Sequence, residues 1–445
     1  MIERVKSGLL TILVIISLFL TWLMWTYQPD YDLLQGTEPI ESDPYGEELN
    51  YDEVVWPERM ILHTQLGSTM VDGQESLFVS FYENLLDAGF EELSVSTSVD
   101  TENLYDVESG IELIFPAPIP SEVLGELFEF EEDEPYLTVG SADRFLFTHD
   151  EENEEVLAHL ISYEEDLVIE ASTTLSVSDF ENQYLNRAGS YPEVFAHHVN
   201  EGNEEIPRLH YLPENPLTYP HVQYTSVELQ AEPFIDYLFS DPTYVKHYRQ
   251  ENGTESFTDG NRMMNLTRNG RYLNYINPVF SDHGTASQQH VVNTSFDFIN
   301  SHGGWTDQYH LYSWSQDADQ DESRFRLIIE GVPVFESNGV NRTSLFVTRS
   351  GTQTSRYSRP MYDIDVEEEP IESTPYELPA GQEVLDYIDQ HTPFSEEEIE
   401  NIRVGYQMDR HNLVLAFEPM WFVKYRDSWY PLEINNSEGE EHGLE

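Results

Sequence analysis

The sequence predicts an α+β protein: one N-terminal transmembrane helix, then a multi-domain extracellular region of mainly antiparallel sheets with packed helices. Three observations predict it. An uninterrupted apolar run stands near the start of the chain. Hairpin signals recur in the second half, where alternating residues flank tight-turn dipeptides. Helical patterns are interspersed without the regular βαβ alternation of a parallel α/β fold.

The anchor comes first. Residues 8–25 read GLLTILVIISLFLTWLMW without a charge. A spanning helix needs ~17–25 apolar residues to cross ~30 Å of hydrocarbon. Arg4 and Lys6 precede the run, opposed only by Glu3, and the chain after it is strongly acidic. Positive charge stays on the cytoplasmic side, so the N-terminus is expected inside and the remainder outside. Trp22, Trp25 and Tyr27 stand where an aromatic belt would mark the outer interface. A cleaved signal peptide would also begin basic and apolar. It would end in a small-x-small site, whereas this core ends in bulky residues from Thr21 to Tyr27.

One face of this helix is distinctive. Ser7, Thr11, Val14, Leu18, Thr21 and Trp25 alternate spacings of four and three, so they share a face. Hydroxylated and small residues let helices approach in lipid and hydrogen-bond across the contact. This face is the candidate docking site for a partner's transmembrane helix. The alternative is that its Ser and Thr side chains bond back to their own helix.

The boundaries expected are 1–28 for the cytoplasmic start and anchor, 29–175 for an acidic N-terminal α+β domain, 176–285 for a central α+β domain, and 286–445 for a C-terminal α+β domain. Residues 30–57 are rich in Pro, Asp and Glu and predict loop or extended chain. In 72–89 the stripe Leu77, Phe78, Phe81, Leu85 and Leu86 predicts a helix stopped by Gly89. Strands are expected at 93–99 and 111–115, and a short helix at 122–128 begun by Pro120-Ser121. Further strands are expected at 145–148 and 167–172, then a helix over 176–187 ended by Gly189.

The second half is more explicit. Asn269-Gly270 between 262–268 and 271–276 predicts a hairpin, because both turn residues accept positive φ. Glu330-Gly331 between 325–329 and 332–335 does the same. Arg426-Asp427-Ser428 between 417–425 and 429–432 predicts a looser turn. A short internal repeat relates residues 296–302, FDFINSH, to 385–391, LDYIDQH. Each ends a predicted helix and precedes a strand (309–314; 402–408) and a hairpin, so two related helix–strand–hairpin units are expected.

Composition narrows the function classes. The net charge of −63 lies wholly beyond the anchor. A nucleic-acid backbone requires the opposite sign, so nucleic acid is a poor partner. Only Lys6, Lys246 and Lys424 are lysines. An acidic, lysine-poor exterior suits a salty or alkaline habitat, where salt screens self-repulsion. Cysteine is absent, which excludes disulfides and thiolate chemistry.

No HExxH, phosphate-binding loop, GxSxG or kinase signature occurs. Asp317, Asp319 and Asp321 begin like a calcium loop. The sixth and twelfth positions of that loop require Gly and Glu but hold Glu322 and Ile328. The fifteen histidines are scattered, with His197-His198 the adjacent pair. No catalytic residue, metal ligand or cofactor is therefore assigned.

Charge is also uneven. No Lys or Arg lies between Arg59 and Arg144, whereas 337–362 carries Arg342, Arg349, Arg356 and Arg359 and no acid. One reading is a Ser/Thr-rich exposed hairpin whose arginines blunt its edge. The other is an ectodomain contact surface for an acidic partner.

Several stretches resemble the YycH family of low-GC Gram-positive regulators. They are 20–29 (LTWLMWTYQP), 234–242 (FIDYLFSDP), 257–262 (FTDGNR), 275–278 (YINP), 331–335 (GVPVF) and 419–425 (PMWFVKY). The family's Asp-Gly turn would fall near Arg426, where this chain has Asp427-Ser428. The resemblance implies a non-enzymatic accessory of the WalK–WalR (YycG–YycF) two-component system, which controls cell-wall metabolism. It implies action on the WalK sensor histidine kinase together with a YycI-like membrane protein, through anchor helices and ectodomains. It also implies a three-domain ectodomain whose C-terminal part is YycI-like. The alternatives from other classes are an extracellular wall- or solute-binding protein and a wall hydrolase.

Overall fold

The structure, a computed structural model, describes residues 45–95, 104–105, 107–130, 139–150, 152–199, 206, 208–267, 271–278, 289–316, 321–336, 343–364, 366, 369–395 and 398–434, with Lys6, Leu10, Ile16, Ser17 and Phe19 near the start. Met1–Asp43 and Pro44–Glu445 form two compact units. In the first, the five described residues are helical, and the apolar side chains of Leu10, Ile16 and Phe19 are exposed. Ser7, Thr11, Val14, Leu18, Thr21 and Trp25 lie outside the described residues. Among the described residues no helix is long and apolar enough to cross a membrane.

The second unit is built on two sheets. The N-terminal sheet contains β1 (Arg59–Thr64), β2 (Gly67–Asp72), β3 (Gly89–Val95), β4 (Gly110–Pro120), β5 (Glu129–Phe130), β6 (Ser141–Asp150), β7 (Glu155–Ser162), β8 (Leu167–Thr173), β9 (Glu193–Val199) and β10 (Arg208–Pro213). Their order across the sheet is 10-9-2-1-4-6-7-8-3-5. All described pairings in it are antiparallel except β3 with β5. A mostly antiparallel sheet matches the predicted fold class.

Helices α1 (Tyr51–Val54), α2 (Ser76–Leu86) and α3 (Ser121–Leu127) accompany this sheet. Helix α2 buries Leu77, Phe78, Phe81, Tyr82 and Leu85, the spacing of one helical face. Phe81 meets Phe147 of β6 edge-on at 5.4 Å. Gly89 does not stop this helix. The C-cap is Asp87, and Gly89 opens β3. The helix expected over 176–187 starts at Val177, with the Ser176 hydroxyl accepting from the Asp179 N–H. It then widens into a π turn, Phe180–Tyr184, and tightens into a 3-10 turn, Leu185–Ser190, so it runs past Gly189. Within the π turn Tyr184 reaches across to the Asn84 amide of α2.

The C-terminal sheet contains β11 (Leu217–Glu228), β12 (Lys246–Arg249), β13 (Glu255–Thr258), β14 (Met263–Thr267), β15 (Tyr272–Ile276), β16 (Tyr309–Gln316), β17 (Asp321–Ile329), β18 (Val332–Phe335), β19 (Ser344–Ser350), β20 (Gln353–Pro360), β21 (Tyr362–Ile364), β22 (Glu372–Leu378), β23 (Ile399–His411), β24 (Val414–Tyr425) and β25 (Ser428–Leu432). Its path is 12-13-14-15-20-19-17-18-23-24-11-21, with β16 on β17, β22 on β11 and β25 on β24. Helices α4 (Glu232–Leu238), α5 (Val291–Ser301) and α6 (Gly381–His391) accompany it; α5 packs on β16, β17 and β19, and α6 lies against β10 of the N-terminal sheet.

The three strand pairings predicted in this half form, and one turn is tighter than expected. β14 and β15 pair from Met263↔Ile276 to Thr267↔Tyr272, around a turn outside the described residues. Glu330 and Gly331 both take positive φ between β17 and β18. Tyr425 pairs directly with Ser428, so the third turn has two residues, not three. Arg426 and Asp427 stand at φ 48° and 60°, the left-handed geometry that matches strand twist.

The repeat is visible too. Helix α5 precedes β16, β17 and β18, and α6 precedes β23, β24 and β25. The two units meet where β18 runs parallel to β23, with Val334 opposite Tyr406. Close packing there explains Gly405: a Cβ on it would stand 2.3 Å from the Phe335 ring. Phe335 in turn stacks on Phe422 at 4.4 Å.

The arginine-rich hairpin departs from expectation. Strands β19 and β20 form it, but they lie inside the sheet between β17 and β15. Arg359 is fully buried and Arg349 nearly so. The Arg359 guanidinium donates to the Gly304 carbonyl, the Tyr357 hydroxyl and the Thr306 hydroxyl, over the Phe234 ring. Arg349 donates to the Thr294 and Thr352 carbonyls. Sequence spacing does not reveal which strands flank a hairpin, and here the flanks bury it. Arg356 is exposed, and Arg342 lies outside the described residues.

Candidate functional site

Between the two sheets lies a cleft of about 580 Å³. One wall comes from β1, β4, β6 and β10, the other from β16, β17, β23 and β24. The walls are tied together at several points. The Trp314 indole donates to the Pro118 carbonyl at 2.7 Å. Arg403 of β23 is ion-paired to Glu58, just before β1. Next to these ties a smaller cavity of about 360 Å³ is lined by Trp56, Gln74, His310 and Tyr312, and it shares Glu58 and Pro116 with the cleft.

Six basic side chains line the cleft: Arg59, Arg144, Arg208, Arg324, Arg326 and Lys424. Five acids join them: Glu58, Asp143, Glu322, Glu400 and Asp427. The whole chain has 84 acids to 21 basic residues. The cleft is thus a local reversal of the protein's charge balance. Several of its acids are already engaged. Arg403 holds Glu58 and Lys424 holds Glu400. Asp143 accepts the Tyr163 N–H at 2.9 Å, and burial raises its pKa.

The N-terminal wall rests on a buried polar network. Glu112 of β4 is fully buried. It accepts from Arg144 at 2.7 Å and from the Tyr211 hydroxyl at 2.7 Å, with His63 Nε2 at 3.3 Å. Arg144 also donates to the Leu209 carbonyl and lies over the Tyr163 ring. Burial alone would raise the Glu112 pKa, but Arg144, His63 and Tyr211 together outweigh it and leave it lowered. This network is satisfied internally and holds the β6–β10 wall in register.

The C-terminal wall is different. Side chains alternate along a strand, so Glu322, Arg324, Arg326 and Ile328 of β17 share one face. Phe325, Leu327 and Ile329 on the other face are buried in the core. Arg326 is 5% exposed. Its guanidinium lies 3.9 Å from the Tyr312 ring centroid and 4.4 Å from that of Phe335, and it donates to the Val334 carbonyl. Its Nε is buried without a partner, as is that of Arg324. Among the described residues no carboxylate reaches ion-pair distance of either. Burial, with Arg324 and Arg403 nearby, lowers the Arg326 pKa to about 10. On the opposite wall His210 carries a buried, unpartnered Nε2, and burial beside Arg144 and Arg59 lowers its pKa to about 3.

Arg324 and Arg326, without carboxylate partners among the described residues, give this wall of the cleft an excess of N–H donors. It can hold an oxyanion. Among the described residues no group of three or more His, Asp or Glu side chains is placed to hold a metal ion.

Of the residues singled out as partner contacts, the described ones, Arg349, Arg356 and Arg359, do not line the cleft and lie elsewhere on β19 and β20. The signal that would have found the cleft is the pair Arg324 and Arg326, two apart at the start of the predicted strand 325–329 in an arginine-poor chain. Arg59 and Arg144 bound the stretch without basic residues, and the fold brings both to the same cleft.

Comparison with known proteins places the chain. Residues 3–186 match the model of the YycH protein N-terminal domain, and residues 208–439 match that of the YycH protein C-terminal domain. The chain is 23% identical over 474 residues to the two-component system WalR/WalK regulatory protein YycH of Bacillus subtilis (strain 168). That match covers 100% of this chain and 99% of the relative. The crystal structure of YycH from Bacillus subtilis superposes with a TM-score of 0.70 at 21% identity, covering 87% of this chain and 98% of that one. The two share a fold.

Proposed function

The chain belongs to the YycH family, and we propose that it regulates a WalR/WalK-type two-component system as a membrane-anchored accessory protein. On this reading it is a regulatory protein and not an enzyme. The observation that carries it is the end-to-end match to a relative named as a regulator of that system. The finer reading is that the 8–25 helix anchors the chain, leaves Pro44–Glu445 outside the cell, and meets a WalK (YycG) transmembrane helix. The face Ser7, Thr11, Val14, Leu18, Thr21 and Trp25 makes that contact, with a YycI-like protein as the second partner. Its support is the length of the apolar run, the basic residues before it and the hydroxyls on one face.

The test replaces residues 1–28 with an unrelated single-pass anchor and reads transcription of the kinase's target genes, beside a strain lacking the chain. Loss of the chain is expected to change that transcription. The exchanged anchor is expected to reproduce the loss. Normal transcription without the chain removes the regulatory reading. Normal transcription with the exchanged anchor removes the helix from the mechanism.

A further inference from the structure

We propose that the cleft between the two sheets is a binding site for a small oxyanion, a ligand carrying phosphate or carboxylate groups, held between Arg324 and Arg326 on one wall and Arg59 on the other. The inference is independent of the regulatory reading and stands or falls by direct binding.

The first argument is the cost of what is there. A guanidinium taken out of water without a counter-charge is destabilising. In this chain acids outnumber basic residues four to one, and a carboxylate partner was available at almost every surface. Arg349 and Arg359, also buried in this sheet and also with an unpartnered Nε, spend their terminal N–H groups on carbonyls and hydroxyls of the core, and buried Arg403 is ion-paired to Glu58. Arg326 instead lines a cleft, nine-tenths buried, with one bond to the Val334 carbonyl, no carboxylate partner among the described residues, and two aromatic rings against its guanidinium. A planar guanidinium held by rings and still offering N–H donors is preorganised for bidentate capture of an oxyanion.

The second argument is convergence. Arg59 donates to the Tyr211 carbonyl, and the cleft also receives it. It starts β1, more than two hundred residues from β17 in the chain. Only the closing of one sheet against the other brings these cations to one cavity. Low-dielectric walls focus their field there. A net charge of −63 on the chain repels anions from the rest of the surface.

The third argument is size. A volume of about 580 Å³ falls within the ~300–1,000 Å³ range of small-molecule sites. Trp314 and Trp429 at the lining offer faces for an apolar part of the ligand.

The experiment is isothermal titration calorimetry on the purified full-length chain. Pyrophosphate serves as the phosphate probe and citrate as the carboxylate probe. Saturable one-to-one binding of either is expected, and which one binds identifies the source of the oxyanion. In Arg324→Gln the affinity is expected to fall about tenfold or more, since a charge-assisted hydrogen bond is lost. Arg326→Gln is expected to do the same. Arg324 is only half-buried, so it decides the matter if the Arg326 variant fails to fold. Arg249→Gln, on the exposed strand β12 at the far end of the sheet and outside the cleft lining, is the control and is expected to bind as the parent does. Failure of both probes to bind overturns the proposal, as does equal affinity in Arg324→Gln and the parent.

Discussion

Replacing Glu112 by Gln tests the buried network that supports the cleft. The change is nearly isosteric, so packing is kept and the charge is removed. Arg144, 5% exposed, then loses its counter-charge while still buried. Breaking a buried pair from one side costs about 3–5 kcal/mol, because the orphaned charge remains out of water. Arg144→Met is expected to cost a similar amount, since Glu112 keeps only Tyr211 and His63.

The double variant removes both charges together. It is expected to cost no more than either single change, a coupling of about 3 kcal/mol. If Pro44–Glu445 melts as one unit of roughly 400 residues, 4 kcal/mol lowers the melting temperature by about 5 °C. Thermal and urea denaturation of the four proteins at pH 7 measure this. The sign with pH follows from the lowered Glu112 pKa. Its contribution is full above the unfolded value of 4.5 and is lost as pH falls through the lower folded value. Glu112→Gln should therefore lose its deficit in acid. A single-variant cost below about 1 kcal/mol, or strict additivity in the double variant, would refute the reasoning.

Two further perturbations probe a buried carboxyl of the C-terminal sheet and the β24–β25 turn at the edge of the cleft. Burial raises the Asp307 pKa to about 7, while it accepts the Ile364 N–H at 2.8 Å. The folded state then holds a proton that the unfolded chain gives up. Stability attributable to this group is full below the unfolded value of 3.8 and is lost as pH rises through about 7. Asp307→Asn is expected to flatten the decline in melting temperature between about pH 4 and 7, and an unchanged slope contradicts the assignment. At the β24–β25 turn Asp427 stands at φ 60°. Asp427→Gly relieves about 1 kcal/mol of left-handed strain, partly offset by the greater freedom of glycine in the unfolded chain. Asp427→Val should instead destabilise, so the two variants should bracket the parent in thermal denaturation. The same order reversed would mean that the turn is not left-handed.

Local signals determined much of this fold. The stripe of Leu77, Phe78, Phe81 and Leu85 defined α2, because a 3.6-residue period is a property of neighbouring side chains. Asn269-Gly270, Glu330-Gly331 and the turn at Arg426 marked hairpins, because positive φ is a demand on single residues. The short likeness of residues 296–302 to 385–391 marked two helix–strand units that the structure carries. The stretches shared with the YycH family pointed to the family that the domain models identify.

The tertiary structure decided what depends on distant partners. Gly89 looked like a helix stop and became the start of a strand, since β5 was there to pair with Gly89 and β8 with the residues after it. Arg359 looked exposed, yet strand order placed it between β15 and β19, where core carbonyls take up its N–H groups. The cleft is the extreme case. Arg59, Arg144 and Arg326 share no motif, and each alone reads as an ordinary strand residue. They converge because two sheets, each specified by its own alternation, close on one another. Charge density in a cavity is a property of that closure, and no local stretch of sequence encodes it.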